Sequence, residues 1–288
     1  MRAIIFGANG QDGQYLSRLL DQNKIEWIGI SRAGGSIATN LSNYTEVSGL
    51  IDKYRPAFVF HFAANSTTNH SAWQENHDAI STGTLNILEA LREFCPSTRV
   101  FITGSGLQFQ NLNKPIKESD PFEGKSSYAV SRIHSVYAAR YYRMMGLKTY
   151  VGYLFNHDSP LRGNEHINKK IADAARRIKQ GSRETLVVGD LSVKKEFGFA
   201  GDIVKAVWTL ITQDNVWEAT IGTGKAYPIE AWADNCFSLC GLNWRDHVQQ
   251  AENFKREYDI LVSNPTTIFS LGWHPETSIE ELAKMMMS

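Results

Sequence analysis

The sequence predicts an α/β protein: a doubly wound parallel sheet with a smaller C-terminal substrate-binding lobe. Three observations carry that expectation. Over the first 155 residues, short apolar runs alternate with amphipathic stretches of helical period, the pattern of βαβ units with helices on both sheet faces. Three glycines, Gly7, Gly10 and Gly13, follow the first apolar run and open a helical stretch. After Phe155 the texture turns polar and loop-like, through "NHDSPLRGNEHINKKI", before mixed short elements run to Ser288.

Taken in order, Met1 to Phe6 reads as a short buried strand. Gln14 to Leu20 reads as a helix with Tyr15, Leu16, Leu19 and Leu20 on its apolar stripe. Trp27 to Ile30 is a second strand, Glu46 to Tyr54 a helix, and Ala57 to Phe62 a very apolar strand. His77 to Phe94 has the period of one long helix, followed by a strand from Arg99 to Thr103. A helix over Ser127 to Met145 and a strand over Lys148 to Phe155 complete the first lobe. Beyond it come a basic helix through Arg177 to Gln180, a short strand at "TLVVG", and a helix over Asp202 to Ile211 that returns to the sheet. The expected division is therefore 1–155 with 199–213 in the first lobe, and 156–198 with 214–288 in the second. Crossovers between parallel strands should be right-handed.

Composition excludes several classes. The 288 residues carry 30 basic and 30 acidic side chains, and 42% are hydrophobic. With a pI near 7.1, no general electrostatic grip on nucleic acid or an anionic membrane is expected. No stretch approaches the roughly 18 apolar residues of a membrane span, and the first apolar run is too short for a leader. A cytoplasmic protein is the expectation. Cys95, Cys236 and Cys240 are an odd count without a CxxC pair, which argues against a disulfide framework or a zinc site. No His, Asp or Glu cluster has ligand spacing, so no metal is expected. His61, ending an apolar strand, reads as a core histidine.

"FGANGQDG" places a GxxGxxG pattern between a buried strand and a helix. In that context glycines let the chain turn tightly and let backbone approach a pyrophosphate held at the helix N-terminus, the Rossmann arrangement. Gly7, Gly10, Gln11, Asp12 and Gly13 are the candidate dinucleotide contacts. The second strand ends in Ser31 and Arg32, where an NAD site usually offers a carboxylate to the ribose. Arg32 can pair with a 2′-phosphate, which favours NADP(H), or it is an ordinary solvated charge.

The chemistry centres on "SSYAVSR". Tyr128 and Arg132 are four apart on a predicted helix and share a face. A phenol moves protons near neutral pH only if a cation lowers its pKa from about 10. Arg132 supplies a permanent cation, planar and never deprotonated. Lys125 is a second cation in the preceding loop. In "TGSGLQ", Ser105 stands at a strand's C-terminal end, where open α/β sheets build their sites, and could donate to a developing alkoxide. A serine between two glycines is also ordinary turn chemistry.

These residues resemble the extended short-chain dehydrogenase/reductases, and more narrowly the GDP-mannose 4,6-dehydratase family. "GANGQDGQYLSRLL" is similar to that family's GxxGQDGxYLxxxLL. "YLFNHDSPLRGNEHINKKI" resembles its LFNHESPxRGxxFVTRKI, and "KKEFGFAGDIVKAVW" its RDWGHAxDYVxAMW. "NPTTIFSLGWHPETSIEELAKMM" resembles its C-terminal segment, so the likeness covers nearly the whole chain.

The resemblance implies a second lobe that binds a nucleotide sugar, a GDP-hexose above all. Asn156, Lys170, Lys195 and Arg256 would contact it, while Ala63 and Asn65 would line the nicotinamide side. His157 matches a motif histidine and reads as structural. It also implies a homodimer or dimer of dimers, with the Tyr128 helix and the His77–Phe94 helix packed against a partner's copies. Val136, Tyr137, Tyr141 and Met144 would supply that face. The family's catalytic segment S-T-S-E-L-Y-G is matched here by residues 104–110, with Ser105 for the threonine. The glutamate that eliminates water across C5 and C6 is Leu107, the lysine of YxxxK is Arg132, and the arginine of RDWG is Lys195. Three readings stay open. One is a 4-ketosugar reductase or C4 dehydrogenase or epimerase; another is a dehydratase with an acid from elsewhere, Glu118 and Asp120 being nearby; the third is an inactive sugar-nucleotide-binding homologue.

Overall fold

A computed structural model describes residues 1–32 and 37–288. The first six strands are β1 (Arg2–Phe6), β2 (Glu26–Ser31), β3 (Ile37–Ala38), β4 (Phe58–His61), β5 (Arg99–Ser105) and β6 (Lys148–Leu154). Between them run α1 (Gln11–Gln22), α2 (Tyr44–Tyr54), α3 (Gly83–Phe94) and α4 (Ser127–Met144). The chain then leaves for α5 (Ile167–Lys179), comes back as α6 (Ala200–Ile211) and β7 (Glu218–Ile221), and leaves again for α7 (Ile229–Ser238) and α8 (Ile279–Met287).

All seven strands pair in parallel, in the order β7-β6-β5-β4-β1-β2-β3. The order reverses between β1 and β4. That reversal opens a crevice beyond the strands' carboxyl ends, where such sheets place ligands. The strands are almost wholly apolar because both faces are covered. One core packs Ile4, Val59, Val100 and Val151 under α2, α3 and α4. The other packs Ile5, Phe60, Phe101 and Tyr150 under α1 and α6. A third core joins α5, α7 and α8 around Trp232, whose indole N–H donates to the Asn168 carbonyl at 3.0 Å.

The elements differ from the sequence expectation in instructive places. Helix α1 starts three residues early, because Gly10 caps it and the polar Gln11 and Asp12 form its first turn. The long helix expected over His77 to Phe94 is an α-helical turn (Trp73–Asn76), a π-helical turn (His77–Thr82) and α3. Strand β7 comes from the stretch assigned to the second lobe. Four residues, "EATI", are too few to show a strand's period. Val136 is fully buried in the core, not on an outer face, whereas Tyr137, Tyr141 and Met144 are exposed. Among the described residues no helix is long and apolar enough to cross a membrane, and no three His, Cys, Asp or Glu side chains gather as metal ligands.

Candidate active site

Two glycines shape the crevice. Gly7 has φ +90°, and a Cβ there would meet the Ala63 nitrogen at 2.7 Å; a Cβ at Gly13 would run into the Gly7 carbonyl oxygen. Only glycine permits this close approach of α1, β1 and β4. The first turn of α1 leaves N–H groups without intrahelical partners, facing an anion's place. Side chains of this turn have other work. Gln11 Nε2 donates to the His157 carbonyl at 3.3 Å and Gln11 Oε1 accepts from Ser159 at 3.0 Å. Asp12 lies 2.9 Å from His157 Nε2. Burial opposes the charge of Asp12, but His157 and Arg162 outweigh it and hold the carboxyl below its ordinary range. So Gln11, Asp12 and His157 clamp the glycine turn to the loop after β6.

Two connected cavities lie over the crevice. One, of about 1100 Å³, is lined by Gly7, Gly10, Ser31, Arg32, Ala63 and Glu75 among others. The other, of about 270 Å³, is lined by Ser105, Leu107, Tyr128, Arg132, Asn156 and His166 among others. They share Gly7, Gly10, Phe62 and Ala64. Together they have the size and the mixed polar and apolar walls of a cofactor-plus-substrate site.

In the larger cavity Arg32 pairs with Glu75, and Asn65 Nδ2 donates to the same carboxylate at 2.9 Å. The bonds from Asn65 and then Arg32 hold Glu75 below its ordinary pKa. Ala63 lines this cavity, while Asn65 stands behind Glu75.

In the smaller cavity the sequence-predicted trio converges. Ser126 caps α4, its Oγ accepting from the Ala129 N–H at 3.1 Å. Tyr128 therefore lies in the first turn, at the carboxyl end of β5. Arg132 is turned inward: it is 3% exposed, donates to the Thr103 carbonyl at 2.7 Å, and places its guanidinium carbon 5.1 Å from the Tyr128 ring centre. Its Nε is buried without a partner. Beneath it His61 is fully buried, its ring within reach of the Ala79 and Ile80 backbone in the π-helical turn. Burial, and then the Arg132 charge, push His61 down to about 3, so it stays neutral beside the cation. Lys125 turns away to pair with Glu123 at 2.9 Å.

Ser105 ends β5. Its Oγ accepts the Leu107 N–H at 3.2 Å, and its own N–H donates to Gln108 Oε1 at 2.8 Å. This capping box fixes the turn and leaves the serine proton free to donate into the cavity. It also places Leu107 in the cavity wall, against the core. Glu118 and Asp120 are engaged elsewhere: Glu118 accepts from the Thr220 N–H at 2.6 Å, and Asp120 from the Lys117 N–H at 2.9 Å.

The substrate-side residues separate. Asn156 lines the smaller cavity, and its Oδ1 is buried without a partner. Lys195 is buried behind it near Asp158 and Arg162. Burial pushes Lys195 down to about 8; Asp158 pulls the other way and Arg162 adds to the fall. Lys170 is exposed, and Arg256 pairs with Asp190 and Asp259; neither lines either of these two cavities. Sequence reasoning passed over Glu75 and His166. The imidazole within "RGNEHINKKI" was the only signal for His166, and nothing local marks Glu75.

Known proteins now bear on this geometry. The family model for GDP-mannose 4,6 dehydratase matches residues 4–286. GDP-mannose 4,6 dehydratase 2 of Arabidopsis thaliana is 31% identical over 99% of this chain and 85% of its own length. The chain belongs to the GDP-mannose 4,6-dehydratase family. A further relative in that family, from Sinorhizobium fredii, is 27% identical over 99% of this chain and 95% of its own. Among solved structures, RMD of Pseudomonas aeruginosa with NADPH superposes with a TM-score of 0.85 at 20% identity, covering 99% of this chain and 96% of that one. The dTDP-glucose 4,6-dehydratase of Bacillus anthracis with NAD gives 0.87 at 15%, covering 100% and 95%. The GDP-mannose 4,6-dehydratase family membership makes this chain an extended short-chain dehydrogenase/reductase enzyme of the nucleotide-sugar type.

Proposed function

We propose that the protein exchanges a hydride at C4 of a GDP-linked hexose with a bound nicotinamide dinucleotide, NADP(H) in preference to NAD. The observation that carries this reading is the convergence of Tyr128, the inward Arg132 and Ser105 on one cavity continuous with the glycine-turn groove. The glycine cradle and the unpartnered Arg132 Nε suit a dinucleotide. When bound, the cofactor supplies a hydride acceptor and donor next to the sugar.

The chain's own residues do the rest. Tyr128 passes the proton of the 4-hydroxyl. Arg132 holds a positive charge beside that phenol and keeps one donor free for the cofactor side. Ser105 donates to the oxygen as charge develops there. Arg32 meets the 2′-phosphate, exchanging Glu75 for a stronger anion. The second lobe, residues 156–198 with 222–288, forms the sugar-nucleotide platform, with Asn156 at its cavity edge. A second copy packs on α4 through Tyr137, Tyr141 and Met144, which share one face by their spacing.

Leu107 cannot move a proton. What the β5 turn supports by itself is oxidation or reduction at C4, as in a 4-ketosugar reductase, dehydrogenase or epimerase. The test is a panel of GDP-, dTDP-, UDP- and CDP-hexoses at stoichiometric enzyme with NADP⁺, products read by mass spectrometry. A GDP-hexose should be oxidised, and Tyr128→Phe should lower that rate by about 10²–10⁴-fold with sugar-nucleotide affinity kept. A Tyr128→Phe variant with normal turnover would remove the tyrosine from its assigned role.

A further inference from the structure

Elimination of water beside a 4-keto group needs a proton carrier near C5 and C6 of the sugar, and Leu107 in the cavity wall cannot be one. The smaller cavity contains one. His166 lines it together with Leu107, Tyr128, Ser105 and Asn156. It caps the N-terminus of α5 with its backbone in extended conformation, so its side chain is free of the helix. Its Nε2 lies 3.3 Å from the Ser66 hydroxyl, on the loop after β4 that also lines the cavity. Ser66 thereby fixes the ring at the cavity wall.

We propose that His166 is the acid–base residue for loss of water from the sugar, taking over the task that Leu107 cannot perform. The step rests on the C4 oxidation proposed above, because a 4-keto group acidifies the neighbouring C5–H. The neutral imidazole takes that hydrogen as a proton. The C5–H electron pair becomes the C5=C6 π bond, and the C6–O bond breaks with its pair on oxygen. The departing hydroxyl collects the proton from the imidazolium and leaves as water, so His166 ends neutral. One residue serves both transfers, as one carboxylate would.

The surroundings keep the imidazole neutral at working pH, so it can accept a proton, though at some loss of basicity. His166 is pushed down to about 4, by burial first and then by Arg162 and Lys195, with Asp158 and Glu165 opposing. At neutral pH it is therefore a free base, and once protonated it is a strong acid toward the leaving hydroxyl. Water loss should fall away below about pH 4, as the imidazole is held protonated.

The test incubates the full-length protein with GDP-mannose and NADP⁺ in deuterated water. The wild type should lose one water from the sugar, the C5 hydrogen leaving with it. His166→Phe should lower water loss by about 10²-fold or more, with 4-ketosugar accumulating in its place. Adding Leu107→Glu to His166→Phe should restore water loss, which also shows that the single variant folds. Independently of turnover, the His166 imidazole resonances should shift when GDP-mannose is added to the cofactor-free protein. Wild-type protein that forms the 4-ketosugar without losing water, a His166→Phe variant that dehydrates normally, or unmoved resonances would each overturn the assignment while leaving C4 oxidation standing. Failure of the wild type to oxidise any GDP-hexose would instead remove the reading beneath it.

Discussion

Helix α4 carries a charge cluster near each end, half-buried at one and buried at the other, and the two differ in what they border. Toward its C-terminus, Glu218 of β7 accepts from Arg140 at 3.0 and 2.7 Å, from Arg143 at 2.9 Å and from the Tyr153 hydroxyl at 2.6 Å. Both carboxylate oxygens are filled. Toward its N-terminus, Arg132 keeps a buried Nε without a partner, above the neutral, fully buried His61. The filled cluster binds strand β7 to the helix. Arg132 at the other end lines the smaller cavity. Arg143 Nη2 is also buried without a partner, so what sets the two ends apart is the cavity: an unpaired donor on a residue that lines one has room for a ligand to complete it.

The largest effect that separates the two ends should come from their tyrosines. Tyr128→Phe should lower turnover by about 10²–10⁴-fold with the unfolding midpoint unchanged, compared by steady-state assay and urea denaturation. A loss of stability matching the loss of rate would erase the distinction. Next, Glu218→Ala leaves two guanidinium groups half-buried without a counter-ion and should cost about 3 kcal/mol in denaturant unfolding. Turnover per folded molecule should stay within about twofold, since surface-remote changes leave the site geometry alone.

The pH dependence sharpens the same contrast. Burial opposes ionisation of Glu218, but bonds from Arg140, Tyr153 and Arg143 outweigh it and bring the pKa from 4.5 down to about 2. The unfolded chain binds that proton first as pH falls. The stabilisation is complete above about pH 4.5 and is lost progressively toward pH 2. Glu218→Gln should flatten that acid limb in urea melts between those limits; an unchanged limb would place the acid sensitivity elsewhere. In the cofactor groove, Arg32→Ala should weaken NADPH binding by about tenfold or more, and NADH little, by calorimetry. Equal losses for both would detach Arg32 from the 2′-phosphate. Smallest of all, Tyr153→Phe should cost about 1 kcal/mol, because Arg140 and Arg143 still satisfy Glu218.

Much of this was open to reading before any coordinates. The glycine turn, β1 and the apolar strands are local patterns that appear where their period or punctuation indicates, whereas α1 begins three residues earlier than its apolar stripe. Tyr128 and Arg132 were legible because four residues on a helix fix their relation. Glu75 was not, since its meeting with Arg32 joins positions 43 apart across the groove. The π-helical turn at His77–Thr82 was invisible for another reason: its composition is that of an ordinary helix. Lys170 and Arg256 carry suitable charge, but tertiary placement puts them outside both cavities.

The sequence alone determined the alternation of strands and helices, the glycine turn and the pairing of a phenol with a guanidinium, because each depends on spacing within one element. The tertiary structure decided which buried charges were completed and which were left open. It set Glu218 among its three donors, turned Arg132 inward over His61, and brought His166 to the wall that holds Leu107 and Tyr128. Such meetings depend on crossings between elements far apart in the chain, and no local period records them.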